Sequence, residues 1–199
     1  DFFYREDAAR GQDCVEDLFS PGHFEVAIAA GERATSCEFV AWMGGERPTV
    51  DVAAEIAARR ARGAALAAAA TPPGAGERER QLIGVLARSS DAFVVARRND
   101  RGTQDAVSTI AGYPWFSDWG RDTFISLPGL LLATGRFDEA KRELSSFARA
   151  RRNGIVPNVF NDQTGEPEFN TVDASLWFVH AACRWLEATG DRAGFEALF

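Results

Sequence analysis

Residues 171–190, TVDASLWFVHAACRWLEATG, read as a helix that is apolar on most of its faces. That segment limits the folds open to the chain. A helix with one apolar stripe can lie on a surface, but one that is apolar nearly all round must be enclosed by other elements. The neighbouring sequence supplies candidates for that enclosure. Residues 137–152 (FDEAKRELSSFARARR) predict a helix with Asp138 and Glu139 at its start and arginines at its end, as the helix dipole favours. Asn153 and Gly154 stop it. A further helix is expected from about 119–122 to Thr134, ended by Gly135 and kinked or broken at Pro128. A last one begins near Ala193.

Earlier in the chain, 51–70 is alanine-rich and strongly helix-forming, with a shallow apolar surface. TPPGAG (71–76) breaks it. Residues 77–98 predict a longer amphipathic helix with Leu82, Val85, Leu86, Phe93 and Val94 on or near one face. A loop over 100–115 holds a short strand at 107–110, and 153–170 forms a long loop of the kind that more often carries function than not. Residues 24–31 and 34–43 are short apolar runs bounded by turns, and read as strands. Strands first, then helices joined alternately by short turns and long loops, suggest an α/α toroid whose loops build a pocket at one end. Periodicity alone does not separate that from a helical bundle. The division expected is 1–45 as the end of a β-sheet domain, 46–76 as a linker helix and loop, and 77–199 as the helical part.

The chain has 199 residues, 46% of them hydrophobic, so a packed core is expected. A net charge of −7 with scattered arginines argues against nucleic acid, which needs clustered Lys and Arg. An uncharged partner such as a polysaccharide fits better. No twenty-residue apolar span occurs, so no membrane helix is expected. Three widely spaced cysteines (Cys14, Cys37, Cys183) resemble a cytoplasmic thiol pattern rather than a disulfide framework. With only His23 and His180 and no CxxC, neither a metal site nor a cofactor is expected. Asp1 at the start and a helix under way at Phe199 read as an internal fragment of a longer protein.

Residues 112–122, GYPWFSDWGRD, hold four aromatics, two glycines, two aspartates and one arginine in eleven positions. A pyranose offers an apolar C–H face for stacking and a rim of hydroxyls for hydrogen bonds, so aromatic faces beside fixed polar groups suit a sugar. PEFNTVDASLWF (167–178) repeats that chemistry. Asp173 is the first candidate for a general acid, because Trp177 and Phe178 beside it are expected to raise its pKa. Its spacing from Asn170 also fits a capping box, with Asn170 as N-cap and Asp173 at N3. Arg121 and Asp122 are candidate clamps on neighbouring sugar hydroxyls, or else a helix-start aspartate with a nearby arginine. Asp118 and Asp122, four apart, would repel on one helix face, so one is expected to have a different partner. Trp115, Trp119 and Trp177 are candidate stacking platforms or core residues, and Trp185 is read as core. Glu168 is a candidate substrate contact or a solvated loop residue. Asn158, Asn161 and Asp162 are candidate hydroxyl ligands, and residue types that favour turns for local reasons.

Read together, WFSDWGRDTFISLPGLLLATGR, NGIVPN and EFNTVDASLWF resemble, in order and spacing, the glucosidase domain of glycogen debranching enzymes, the amylo-α-1,6-glucosidase family. The opening YREDAARGQDCVEDLFSPGHFEVAIAAGE is similar to the end of the β-sandwich domain that precedes the barrel in bacterial members. The resemblance covers most of 2–45 and 107–190; residues 51–76 carry none of it. It implies an all-α (α/α)6 barrel, or six-hairpin toroid, and an inverting glycoside hydrolase of glycogen catabolism. Its substrate would be the α-1,6-linked glucose at trimmed branch points of glycogen or limit dextrin. It places the terminal-glucose clamp on Arg121 and Asp122 and the general acid on Asp173. An inverting enzyme also needs a base carboxylate roughly 6.5–9.5 Å from the acid. The resemblance puts that base on a helix these residues do not contain, so the chain alone is expected to lack useful activity.

Three other readings stay open: another α/α-barrel glucosidase, glucoamylase-like or trehalase-like; a carbohydrate-binding protein without catalysis; and a structural helical domain in which Trp115 and Trp119 are buried away from any pocket. Oligomeric state and the presence of a glucanotransferase domain are not legible.

Overall fold

The computed structural model describes residues 2–20, 22–27, 31, 37–42, 44–97, 106–113, 117–161 and 164–199. It is mostly helical, with three two-stranded antiparallel sheets among these residues. The chain divides into two units, Asp1–Val52 and Ala53–Phe199.

In the first unit β1 (Phe2–Phe3) pairs with β2 (Val15–Glu16), Phe2 opposite Glu16, around the short helix α1 (Arg5–Ala9). Tyr4 N–H donates to Cys14 O at 2.9 Å. The strands expected at 24–31 and 34–43 are not formed in their described parts, 24–27, 31 and 37–42; the rest of both lies outside the described residues. A strand exists only where a neighbour accepts its hydrogen bonds. Here Phe24 and Phe39 pack ring on ring at 4.8 Å and remain mostly exposed.

The second unit opens with α2 (Val52–Ala70) and α3 (Glu77–Asp91). They meet through small residues. A Cβ on Gly63 would fall 2.9 Å from Arg88 Cγ, and one on Gly84 3.8 Å from Ala67 Cβ. Because α3 turns Gly84, Ala87 and Ser90 inward, Leu82, Val85 and Leu86 are exposed. The apolar stripe read from the sequence is therefore the outer face. The helix also ends seven residues early: after Asp91 the chain turns, and the β-branched run that follows becomes β3 (Val94–Arg97), paired with β4 (Ala106–Thr109). Arg62 and Arg136 both bind Asp91, at 2.8 and 2.9 Å, and Arg136 also binds Glu139 at 2.5 Å. This cluster ties α2 and α3 to residues 136–139.

Three helices and the turn between two of them build the core. α4 (Gly120–Leu127) gives way at Pro128 to a π-helical turn, Pro128–Leu132. Proline lacks the N–H that would bond the carbonyl of Phe124, and the widened ring that follows is closed by Ala133 N–H on Pro128 O at 2.9 Å. Gly135, at φ +72°, ends the segment. α5 (Phe137–Arg149) buries Ala140, Glu143, Leu144 and Phe147, and α6 (Asp173–Thr189) buries Ala174, Phe178, Ala181, Ala182 and Trp185. Phe124 of α4 meets Phe147 at 4.8 Å and Phe178 at 5.4 Å between ring centres. Fully burying each such side chain contributes about 1.5–3 kcal/mol. Trp185 is core, as expected, and its Nε1–H donates to Phe137 O at 3.0 Å. The other face of α6 is open: Val172, just before it, and Leu176 and Val179 within it are exposed. Gly190 ends α6 at φ +69°, and Asp191 caps α7 (Arg192–Glu196) by accepting from Gly194 N–H at 2.8 Å. Inside the expected long loop, β5 (Val159–Phe160) and β6 (Pro167–Glu168) form a hairpin, Val159 opposite Glu168.

Candidate active site

The first turn of α4 carries Arg121 and Asp122. Its free N–H groups would be orphaned at the helix start, and Asn158 takes two of them. Gly120 N–H donates to Asn158 O at 2.5 Å, and Arg121 N–H to Asn158 Oδ1 at 3.1 Å. Asn158 is itself held from the other side. Its N–H donates to Glu168 O at 2.9 Å, and its Nδ2 donates to Asn170 Oδ1 at 2.9 Å. Trp119 and Val159 form an antiparallel bridge next to this contact. The approach is close enough to need a glycine: a Cβ on Gly120 would lie 2.8 Å from Pro157 O and 3.3 Å from Asn158 Cα.

The first residue of α6 is Asp173. Ser175 Oγ accepts Val156 N–H at 2.9 Å, fixing this end of α6 to the same 156–158 segment that caps α4. The two helix starts are thus tied to one strand of chain, and their charged side chains meet. Arg121 Nε reaches Asp173 Oδ2 at 2.7 Å, and a terminal nitrogen of the guanidinium reaches Oδ1 at 3.0 Å. This two-pronged contact spans 52 positions of sequence. The pair is open to solvent, with 46% of the Arg121 side chain and 38% of that of Asp173 exposed.

Two expectations about Asp173 change here. Its hydrogen bond to the Arg121 guanidinium holds the carboxyl below its ordinary value, and the same contact raises Arg121. The apolar neighbours that were to push it up face elsewhere: Phe178 lies in the core, and Trp177 sits edge-on to His180 at 5.6 Å. Asn170 is not the N-cap. Val172 occupies that position without a side-chain cap, and the Asn170 carboxamide serves Asn158 instead.

Arg121 and Asp122 line a concavity of about 330 Å³ with Phe93, Ile110, Ile125 and Leu130. Asp173 sits beside Arg121 and is not part of that lining. A larger concavity of about 590 Å³ is walled by Arg97, Asp118, Arg149, Arg152, Phe160 and Glu166, and includes neither Arg121 nor Asp173. The smaller one offers an apolar floor with a cation and an anion at its edge. Asp118 and Asp122 separate as the like-charge argument expects. Asp118 is buried and bound by both ends of the Arg97 guanidinium, while Asp122 is exposed.

Of the aromatic candidates, Trp119 and Trp177 are half-buried, and Trp115 lies outside the described residues. Asn158, read as a hydroxyl ligand, is 2% exposed with its amide engaged by Arg121 and Asn170. Glu168 is exposed on β6. Asn161 closes a local turn, accepting from Thr164 N–H at 3.1 Å, and Asp162 lies outside the described residues. The residues missed by sequence reasoning are structural partners of the site: Gly120, Asn170 as a brace, and Ser175. The glycine inside WGRD was the one legible signal. Among the described residues, no group of three metal-ligating side chains exists, no helix is long and apolar enough to cross a membrane, and Cys14, Cys37 and Cys183 are free thiols.

The profile of the family described as Amylo-alpha-1,6-glucosidase matches residues 88–198, and that described as Glycogen debranching enzyme N terminal matches residues 1–35. A glycogen debranching enzyme of Saccharomyces cerevisiae is 45% identical over 83 residues, which are 39% of this chain and 5% of the yeast protein. The chain thus corresponds to a small part of that relative's length. With both charged partners and the segment that docks them inside a match to more than half of its length, the chain belongs to the amylo-α-1,6-glucosidase family of glycogen debranching enzymes.

Proposed function

We propose that this chain carries part of the catalytic site of an inverting amylo-α-1,6-glucosidase. Its substrate is the single α-1,6-linked glucose at trimmed branch points of glycogen or limit dextrin. The observation that carries the reading is the two-pronged contact of Arg121 with Asp173, at the edge of the concavity that holds Asp122. In this reading residues 77–199 belong to an (α/α)6 barrel, residues 1–45 end a β-sandwich, and 46–76 link them. Arg121 and Asp122 hold the terminal glucose, Trp115, Trp119 and Trp177 offer stacking faces, and Glu168 contacts outlying hydroxyls. Asn158 holds the clamp in place rather than touching sugar.

Asp173 is the general acid. Arg121 keeps its carboxyl ionised in the empty site. Glucose hydroxyls draw the guanidinium's donors to themselves, its pull on Asp173 relaxes, and the carboxyl takes up a proton. As the bond between glucose C1 and the bridging oxygen breaks, that proton passes to the leaving oxygen. Water adds to C1 from the opposite face, and its proton goes to a second carboxylate acting as base. The products are β-glucose and an unbranched chain.

Proton NMR of the glucose first released by the intact protein from a phosphorylase-trimmed dextrin tests this. β-Glucose is expected; α-glucose, or none, overturns it. Turnover of the linear dextrin or a disaccharide in preference would favour another α/α-barrel glucosidase.

A further inference from the structure

Glu143 is an acid in the middle of α5 with 0% exposure, and the proposed chemistry does not use it. Its two oxygens face one residue. Oε1 accepts the Thr109 N–H at 2.5 Å, and Oε2 lies 3.1 Å from Thr109 Oγ1. Thr109 ends β4 and is itself buried. Its carbonyl accepts from Thr123 Oγ1 at 3.4 Å, and Thr123 is a fully buried residue in the first half of α4, two positions after Arg121. Beyond Thr109, Ala111 N–H donates to Ser117 O at 3.0 Å, and Asp118 and Trp119 lead into α4. One helical turn beyond Glu143, Phe147 packs against Phe124, on α4 one turn after Gly120.

We propose that Glu143 is a positioning residue for the site: through Thr109 it fixes the start of α4, and so the height at which Arg121 meets Asp173. A buried carboxyl is a demanding choice for ordinary packing, since a leucine would fill the space without a polar group to satisfy. Two bonds to the backbone and side chain of one strand residue give what leucine cannot, a fixed register between α5 and the strand that leads into α4. Burial pushes the Glu143 carboxyl up to about 8, so near neutral pH it holds a proton. Oε1 accepts the Thr109 N–H and Oε2 accepts from Thr109 Oγ1. Glutamine keeps both contacts, its oxygen accepting the N–H and its nitrogen donating to the hydroxyl, which then serves as acceptor; leucine keeps neither.

The role of Glu143 in catalysis rests on the glucosidase reading; its role in placing α4 does not. Amide hydrogen exchange on the intact protein separates the two. In Glu143→Leu, exchange should quicken at least about tenfold at 107–110 and 119–123 while 178–186 of α6 stay within about twofold of wild type. Glu143→Gln should match wild type throughout. Glu143→Leu leaving 119–123 unchanged, or a rise spread equally through α6, would overturn the proposal, as would Glu143→Gln behaving like Glu143→Leu. Should Glu143→Leu fail to fold, Thr123→Val reads the same connection: faster exchange confined to 119–123 supports it, and none overturns it. In glucose release, Glu143→Leu should lower kcat and Glu143→Gln should restore it. Absence of glucose from the wild-type protein defeats the functional reading and leaves the exchange result standing.

Discussion

The chain sets arginine against carboxylate in two contrasting places. In the cluster of Arg62, Asp91, Arg136 and Glu139, two cations share two anions, contacts cross between helices, and the Arg136 side chain is 4% exposed. At the start of α6, one arginine faces one aspartate and both lie open to water. In the first arrangement each charge is held from more than one side, and Arg136 lies away from water. The second is a single contact that an incoming hydroxyl can compete for. Geometry at the contact is equally good in both, and Arg62 is as open to water as Arg121. The number of partners distinguishes them.

The largest break in this contrast is expected in activity. Asp173→Asn in the intact protein should lower glucose release about 10²–10⁴-fold, with the urea midpoint hardly moved, because Arg121 regains water. A loss under about tenfold in a folded variant sinks the acid role. Next comes the cluster. Arg136→Ala leaves Asp91 and Glu139 with Arg62 as their remaining partner and should destabilise the fold by about 2–4 kcal/mol in urea unfolding, leaving the ratio of kcat to KM for surviving molecules near wild type. A loss like that of an exposed pair would erase the distinction.

A smaller effect sits between the two. Glu143 ionises at about 8 when folded against an ordinary 4.5, so its contribution to stability is full below 4.5 and is lost as pH rises toward 8. The charges around it act in opposite senses. Asp118, bound to Arg97, favours the protonated form, and Arg136, bound to Asp91 and Glu139, favours the ionised one. The residues that α6 and the π-helical turn bring into this core are apolar. Glu143→Gln should therefore flatten the fall in thermal midpoint between pH 4.5 and 8, and a variant with an unchanged profile shows that another group titrates. The smallest effect is at the open pair. Asp173 is depressed, so its contribution to stability is present above the ordinary 3.8 and is lost as pH falls through the lower folded value. Arg121→Gln should move the carboxyl resonance of Asp173 to titrate nearer 3.8 and remove that acid limb. A resonance that stays low names a different partner.

The sequence showed local chemistry better than long-range partners. The helices over 51–70, 137–152 and 171–190, the break at Pro128 and the stop at Gly135 follow from propensity, proline and glycine, which act within a few residues. Arg121, Asp122 and Asp173 stood out because charged residues set among aromatics within a few positions are the chemistry that suits a sugar ring. What stayed hidden depends on contacts across tens of residues. Nothing local says that Glu143, in a helix rich in surface acids, faces inward to Thr109, or that Asn170 braces Asn158 rather than capping α6. The apolar residues 82, 85 and 86 read as a core face, but the adjoining helix is lined with alanine and glycine, and close approach favours the small-residue face. The reading of Asp173 as an acid raised by apolar neighbours failed because Trp177 and Phe178 were near in sequence while Arg121, the neighbour in space, was 52 positions away.

Gly120 has no side chain, and the carbonyl of Pro157 lies where one would start. The start of α4 can therefore settle directly on the backbone of 157–158, and every later residue of the helix inherits that height. An alanine there would act as a shim about a methyl group thick, lifting the guanidinium of Arg121 off the carboxylate it meets at 2.7 Å. The spacing of the two charges is thus gauged by a residue that carries neither charge nor side chain, and Gly120→Ala should loosen their contact while both remain in the sequence.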